Sequence, residues 1–148
     1  MGRLKSSFVG KLIAFDTAPL IYYVEEHSLY FSLTEELFGT IRERQAQGLT
    51  SALTLTEVLA KPFRMGRSDL AYAYRGILSA TRGVSLCPAG EAVCEQAARL
   101  RADYGWLRTP DALQIATALV FGADAIVTND DRWKRLATIP VFVLKDYL

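Results

Sequence analysis

The chain has 148 residues, of which 51% are hydrophobic and 22% charged. That size and composition fit one globular domain and exclude an extended disordered chain. The 17 basic and 16 acidic residues give a formal net charge of +1, which excludes a general electrostatic attraction to nucleic acid or membrane. We predict a single domain over residues 1–148, with residues 1–11 as a flexible N-terminal extension.

Short apolar runs alternate along the chain with longer segments of helical period. The apolar runs predict strands at 12–15, 49–53, 84–87, 123–128 and 141–144. The helical segments are predicted at 18–25, 29–47, 55–64, 68–81, 89–104, 110–121 and 132–136. Gly48 is predicted to stop the long second helix. Strands separated by helices indicate an α/β fold with a mainly parallel sheet, covered on both faces.

Cysteine content and apolar run length exclude two further classes. Cys87 and Cys94 are too few for a disulfide scaffold and lack metal-ligand spacing. No apolar run approaches the roughly 20 residues that span a bilayer. The basic start of the chain resembles the beginning of a signal peptide, but Asp16 interrupts the apolar segment too early. We therefore expect a soluble cytoplasmic protein with no membrane partner.

Acidic residues stand at corresponding places around the predicted sheet. Asp16 directly follows the first strand, and Asp130 follows the fourth after one residue, Asn129. Glu57 and Asp111 lie in the first turns of two helices. In open parallel sheets the functional crevice lies beyond the carboxyl ends of the strands, so these acids are expected to converge there.

Each acid alone has a structural explanation. Thr54 to Glu57 reads as a capping box, Asp111 complements a helix dipole, and Asp16 and Asp130 could be N-caps. Capping explains neither the convergence nor the lack of interleaved basic residues. Four carboxylates in one crevice would repel one another unless protons or metal ions compensate their charge.

A hard divalent cation, Mg²⁺ or Mn²⁺, suits such a set of carboxylates. Zinc is disfavoured because the chain's single histidine, His27, lies in a polar turn outside every motif. Bound Mg²⁺ can activate a water and stabilise charge on a phosphoryl oxygen. The pattern thus favours phosphodiester chemistry.

The acidic motifs resemble those of a known family. The segments FDTAPLI at 15–21, LTEV at 55–58, TPDALQIATA at 109–118 and IVTND at 126–130 resemble the four acidic motifs of PIN-domain ribonucleases. The short single-domain form is similar to the VapC-type toxins of bacterial toxin–antitoxin pairs. The resemblance covers residues 12–148, and the additional acid Asp131 has no clear place in the pattern.

The resemblance implies an α/β/α sandwich that cleaves RNA with a metal-activated water. It implies a Mg²⁺ site in which Asp16 and Asp111 are direct ligands, while Glu57 and Asp130 close the site directly or through water. Thr17 and Thr128 would hydrogen-bond the acids or the scissile phosphate. The resemblance also implies a homodimer and inhibition by a small antitoxin.

Basic and aromatic residues near the motifs could contact RNA. The basic candidates are Arg64 and Arg132, with Lys61, Arg67, Arg108, Lys134 and Arg135 nearby. The aromatic candidates are Tyr22, Tyr23, Tyr72, Tyr74 and Trp106. The alternative is that the basic residues form solvated helix faces, with Lys61 paired to Glu57, and that the aromatic residues belong to the core.

Two other functions stay open at this point. The fold could be a non-catalytic RNA- or protein-binding module. It could also be a phosphohydrolase with an aspartyl nucleophile, although Asp16-Thr17-Ala18 lacks the second aspartate common in such enzymes.

Overall fold

A five-stranded sheet forms the centre of the protein. The computed structural model describes residues 2–148. Strands β1 to β5 are Leu12–Phe15, Gln47–Ser51, Val84–Cys87, Ala125–Thr128 and Val141–Val143. They lie in the order β3-β2-β1-β4-β5, and every neighbouring pair is parallel. The prediction of a parallel sheet of about five strands is confirmed.

Helices cover both faces of this sheet. Helices α1 to α7 are Arg3–Phe8, Thr17–Val24, Phe31–Arg42, Leu53–Arg64, Ser68–Ala80, Glu91–Asp103 and Thr109–Val120. Two short 3-10 helices, Asp131–Arg135 and Leu144–Tyr147, flank β5. One core holds buried side chains of α1 to α5 and a second core holds those of α6 and α7. The result is the expected three-layer α/β/α sandwich. Within residues 2–148, no helix combines the length and the apolarity needed to cross a bilayer.

Strand β1 is buried on both faces because its successive side chains point to opposite cores. Ile13 and Phe15 belong to the core under α1 to α5, whereas Ala14 belongs to the core under α6 and α7. This follows from the two-residue period of a strand. It explains why the segment is apolar without alternation, as is typical of central parallel strands.

The N-terminal segment is ordered against the core, which differs from the flexible extension expected for residues 1–11. Residues Arg3–Phe8 form α1, whose Leu4 and Phe8 have no exposed surface. Phe8 packs edge-on against Phe142, with ring centroids 5.5 Å apart. Two apolar side chains four residues apart form one helix face, and its burial outweighs the basic character of the segment. Met1 lies outside the described residues.

Helix α3 ends five residues before the predicted end, and Gly48 has another role than the one predicted. The helix ends at Arg42, and Arg44 adopts a positive φ of 62° as the chain turns into β2. Gly48 lies inside β2. A Cβ atom at Gly48 would lie 2.7 Å from Cδ1 of Ile41 and 3.3 Å from Cε1 of Phe15. The glycine therefore permits α3 to pack closely on the sheet.

The chain leaves β1 toward one side of the sheet and later returns to its other side, which makes β1 the switch point of the strand order. From β1 the chain proceeds to β2 on one side, whereas β4 pairs with the other side of β1. Such a switch point is where open α/β sheets form their crevices. Phe15 is in register with Val127, so the residues that follow β1 and β4 lie side by side at the carboxyl edge.

Candidate metal centre

Asp16 leaves β1 at the switch point and caps α2. Its Oδ1 accepts a hydrogen bond of 2.8 Å from the amide of Thr17, the first residue of α2. Its Oδ2 accepts a hydrogen bond of 2.9 Å from the hydroxyl of Thr128, the last residue of β4. The carboxylate is thus held in one orientation by the start of α2 and the end of β4. Thr128 is fully buried, so it can orient Asp16 but cannot reach a phosphate.

Asp111 is partly buried with one oxygen left without a partner. It lies in the first turn of α7, where its negative charge complements the helix dipole. Its Oδ2 is buried and makes no hydrogen bond within residues 2–148. Buried polar atoms are nearly always hydrogen-bonded, so an unpaired carboxylate oxygen indicates a missing cationic or donor ligand.

The electrostatics of these two acids show the cost of keeping both charged. Burial raises the pKa of Asp16 to about 6 from 3.8, and the negative charges of Asp111 and Glu57 add to this effect. The hydrogen bonds from Thr17 and Thr128 act in the opposite direction. Burial also raises the pKa of Asp111, with a further contribution from Asp130. A divalent cation would relieve this repulsion.

Glu57 lies on the exposed side of α4. It does not cap the helix, although the sequence predicted a capping box there. The helix begins at Leu53 after Ala52, so Thr54 lies within the first turn and the capping box of Thr54 and Glu57 does not form. The charge of Glu57 acts on Asp16. Within residues 2–148 its carboxylate accepts no hydrogen bond and forms no ion pair. Lys61, expected to pair with Glu57, lies 3.7 Å from Oε1 of Glu25 instead.

Asp130 is paired with a basic residue, contrary to the expectation that none is interleaved among the acids. Arg132 Nε lies 3.0 Å from Oδ1 of Asp130, and Arg132 Nη2 lies 2.6 Å from its Oδ2. This guanidinium lowers the pKa of Asp130. The guanidinium also lies over the ring of Trp106, 5.5 Å from its centroid.

The four acids line one edge of the sheet but do not close around a single point. In the part of the chain that the structure describes, no three His, Cys, Asp or Glu side chains lie close enough to hold one metal ion. Asp130 is instead held in an ion pair by Arg132. Asp16 and Asp111 are the two acids whose charged forms are disfavoured by burial and by neighbouring negative charge, so a cation would stabilise them.

A cleft of about 490 Å³ opens beside Asp16 and Asp130. Its wall includes Tyr22, Asn129 and Lys145. The Asn129 amide donates to the Tyr22 hydroxyl at 3.3 Å, and its Oδ1 accepts from the backbone amide of Lys145 at 3.0 Å. These contacts fix the cleft between α2 and the C-terminal 3-10 helix. The sequence analysis missed Lys145, which is distant in sequence from every acidic motif.

A buried polar network lies behind the acids, and the sequence analysis missed its central member. Gln114 donates to Thr54 Oγ1 at 2.8 Å and lies 3.5 Å from Thr17 Oγ1. Thr17 is buried and faces this network, so it is not available to a phosphate. A polar side chain among the apolar positions of α7 was the available signal in the sequence.

Of the other basic and aromatic candidates, some are exposed and available for contact with RNA, whereas others have structural roles. Arg64 is exposed at the end of α4 and has no ion-pair partner among residues 2–148. Tyr74 is buried and donates a hydrogen bond of 2.5 Å to Glu25, so it belongs to the core, whereas Tyr72 is 82% exposed. His27 accepts backbone hydrogen bonds in its own turn through Nδ1, a structural role.

The donor set fits a hard divalent cation. Carboxylate oxygens of Asp16 and Asp111 lie at the switch point, and a histidine or thiol ligand for zinc is missing from the cleft wall. The unpartnered Oδ2 of Asp111 is the atom that such an ion would satisfy. The residues present therefore agree with Mg²⁺ or Mn²⁺ and not with zinc.

Comparison with known proteins identifies the family. The family model described as PIN domain matches residues 13–139, which is most of the chain, and the chain therefore belongs to the PIN-domain family. No curated protein sequence matches it significantly.

Solved structures of low sequence identity share the fold. VapBC2 from Rickettsia felis, bound to a DNA fragment from its promoter, has 15% identity and a TM-score of 0.70 over 89% of this chain and 98% of that chain. VapC20 from Mycobacterium tuberculosis, described as a Sarcin-Ricin loop cleaving toxin, has 16% identity and a TM-score of 0.69 over 86% and 96%. DNA-bound VapBC from Salmonella typhimurium has 14% identity and a TM-score of 0.71 over 90% and 98%.

Proposed function

We propose that this protein is a Mg²⁺-dependent endoribonuclease that hydrolyses RNA phosphodiester bonds with a metal-activated water. The observation that carries the proposal is the pair of partly buried carboxylates of Asp16 and Asp111. One oxygen of Asp111 lacks a partner, and burial and like charges raise the pKa of Asp16. The charges of Arg108 and Arg132 offset part of the charge of Asp111, but the partial burial of two neighbouring carboxylates still costs stability, and a bound cation would compensate for that cost.

The positions of the residues support the roles that we propose for them. Asp16 and Asp111 would hold the ion directly, with Glu57 and Asp130 completing its surroundings directly or through water. When bound, Mg²⁺ lowers the pKa of a coordinated water and stabilises negative charge on a phosphoryl oxygen. Thr128 keeps Asp16 oriented through its hydrogen bond. Arg132 would bind a flanking phosphate once its ion pair with Asp130 is broken.

We infer a role as the toxin of a toxin–antitoxin pair. The support is the set of structural neighbours, of which one is described as a toxin–antitoxin complex and another as a member of the VapBC family of toxin–antitoxin systems. A small antitoxin protein, a homodimer and action in the cytoplasm, where RNA is abundant, belong to this same proposal. Co-purification with the product of an adjacent small gene would test the antitoxin, and light scattering of the purified chain would test the dimer.

Mapping of cleavage sites on total RNA tests the enzymatic proposal. The wild-type protein with Mg²⁺ should cut at defined positions, and excess chelator should stop cleavage. Asp16→Asn should abolish cutting. Asp124→Asn is a matched control, because Asp124 precedes β4 at the opposite edge of the sheet, where its Oδ2 accepts the Leu12 amide; this variant should cut normally. Intact RNA with bound wild-type protein would support a non-catalytic binding module instead.

A further inference from the structure

Gln114 is a buried amide in an otherwise apolar part of α7. It is 3% exposed, and its helix neighbours Ile115, Ala116 and Ala118 all belong to the core under α6 and α7. An apolar side chain here would bury its surface without a need for partners. The amide requires hydrogen bonds instead, because an unsatisfied buried polar group is costly.

The partners of Gln114 form a relay that ends next to Asp16. The Gln114 amide donates to Thr54 Oγ1 at 2.8 Å. Thr54 and Thr50 share a hydrogen bond of 2.8 Å, and the Thr50 hydroxyl donates to the Phe15 carbonyl at 2.8 Å. The Thr50 hydroxyl also lies 3.4 Å from Gln114 Oε1, a longer contact than the one to Phe15. Because both of these contacts use the single hydroxyl proton of Thr50, Thr54 donates to Thr50. The relay thus runs in one direction from α7 to the last residue of β1.

Three members of this network lie close in sequence to an acid of the candidate site. Thr54 is three residues before Glu57 on α4, and Gln114 is three residues after Asp111 on α7. Residues three apart are neighbours on a helix, although Thr54 is buried and Glu57 is exposed. The Phe15 carbonyl belongs to the peptide group that leads into Asp16. All members of the relay are buried, so solvent cannot replace a lost bond.

We infer that Gln114 is a positioning residue of the metal centre, which holds the acids of β1, α4 and α7 at the spacing that a divalent cation requires. This inference rests on the proposed function. Removal of partners that orient metal ligands typically weakens metal affinity by about 10–100-fold. Gln114→Met keeps the length and bulk of the side chain but cannot donate, and we expect it to weaken Mn²⁺ binding by about tenfold.

Thermal stability of the full chain against Mn²⁺ concentration measures this affinity without RNA. Thr54→Val should reproduce the effect of Gln114→Met, and Thr54→Ser should retain wild-type affinity because it keeps the hydroxyl. Thr117→Val is the matched control: Thr117 is buried on the same helix, but its hydroxyl bonds only to the Leu113 carbonyl. RNA cleavage by the Gln114 and Thr54 variants should recover as Mn²⁺ is raised about tenfold.

The outcomes separate the two proposals. If Gln114→Met lowers the melting temperature but binds Mn²⁺ like the wild type, Gln114 is merely structural and the inference is wrong. If Gln114→Met does not fold, Thr54→Val decides by the same criterion. A wild-type protein that neither responds to divalent ions nor cuts RNA would overturn the proposed function and this inference with it.

Discussion

Neutralising Asp16 should stabilise the protein while removing its activity. In the native structure burial raises the pKa of this carboxylate to about 6 from 3.8, with a smaller contribution from the negative charges of Asp111 and Glu57. The unfolded chain has no such penalty. Asp16→Asn keeps the acceptor for the Thr17 amide and removes the charge, so we expect a more stable fold at neutral pH without divalent ions.

The size of the effect follows from the difference between the two pKa values. At pH 8 that difference corresponds to about 3 kcal/mol of destabilisation by the native carboxylate. The asparagine loses the charge-assisted hydrogen bond from Thr128, which offsets about 1.5 kcal/mol. The net gain is about 1.5 kcal/mol, or about 3–6 °C in melting temperature for a chain of this length.

Thermal unfolding across pH, in chelator, measures the gain and its sign. Between pH 4 and 6 the unfolded chain has released the proton of Asp16 whereas the native protein retains it, so wild-type stability falls as pH rises through that window. The gain of Asp16→Asn should therefore be nearly absent at pH 4 and complete at pH 8. Added Mn²⁺ should stabilise only the wild type and so reduce the difference in melting temperature between it and Asp16→Asn.

A result of the opposite sign would refute this reasoning. If Asp16→Asn is less stable than the wild type at pH 8, or if its gain is the same at pH 4, the charge of Asp16 is not a burden on the fold. Asp124→Asn provides the control, because this exposed residue at the opposite edge of the sheet should show no pH-dependent gain.

Three other variants test separate parts of the account. Asp111→Asn should reduce the stabilisation that Mn²⁺ gives in thermal unfolding, because it removes one of the two carboxylates that we propose as direct ligands. Arg132→Ala should tighten Mn²⁺ binding in calorimetry by up to about fivefold, since an exposed ion pair is worth at most about 1 kcal/mol and its loss frees Asp130. Phe8→Ala should lower the free energy of unfolding in urea by about 3–5 kcal/mol, because Phe8 is fully buried.

Controls exist for each of these variants. An unchanged Mn²⁺ response in Asp111→Asn would place the ion elsewhere. Arg135→Ala is the control for Arg132→Ala, because Arg135 lies over Trp106 but contacts no acid among residues 2–148. If both variants tighten Mn²⁺ binding equally, the effect comes from the overall positive charge and not from competition between Arg132 and the ion for Asp130. Val9→Ala, at an exposed position, should cost little, and an equally small cost for Phe8→Ala would return the N-terminal segment to a flexible extension.

Much of the fold could be predicted because its central strands are buried on both faces. The segment 12–15 was predicted with the bounds that the structure has, since a continuous apolar run between helical segments leaves few alternatives. The edge segment 84–87 was also predicted with its observed bounds, although its Ser85 is exposed. The end of α3 was predicted at residue 47 instead of Arg42. Gly48 resembles a helix stop in the sequence, whereas its real constraint is contact with Ile41, a neighbour in space.

The acids of the candidate site could be predicted from their places at strand ends, but their contacts could not. The Asp130–Arg132 ion pair depends on the rotamer of Arg132, and no spacing in the sequence specifies that rotamer. The relay through Gln114 joins residues 60 positions apart on α4 and α7. Such pairing depends on how two helices pack, which local periodicity does not encode. The same holds for Lys145, which reaches the cleft only through the final turn of the chain.

Anomalous diffraction from crystals soaked in Mn²⁺ tests the central claim most directly. Our account predicts a manganese peak at bonding distance from carboxylate oxygens of both Asp16 and Asp111, with Oδ2 of Asp111 among its ligands. The peak should be absent from Asp16→Asn crystals treated in the same way. Manganese only at other acids of the surface, with Asp16 and Asp111 bare, would contradict the account.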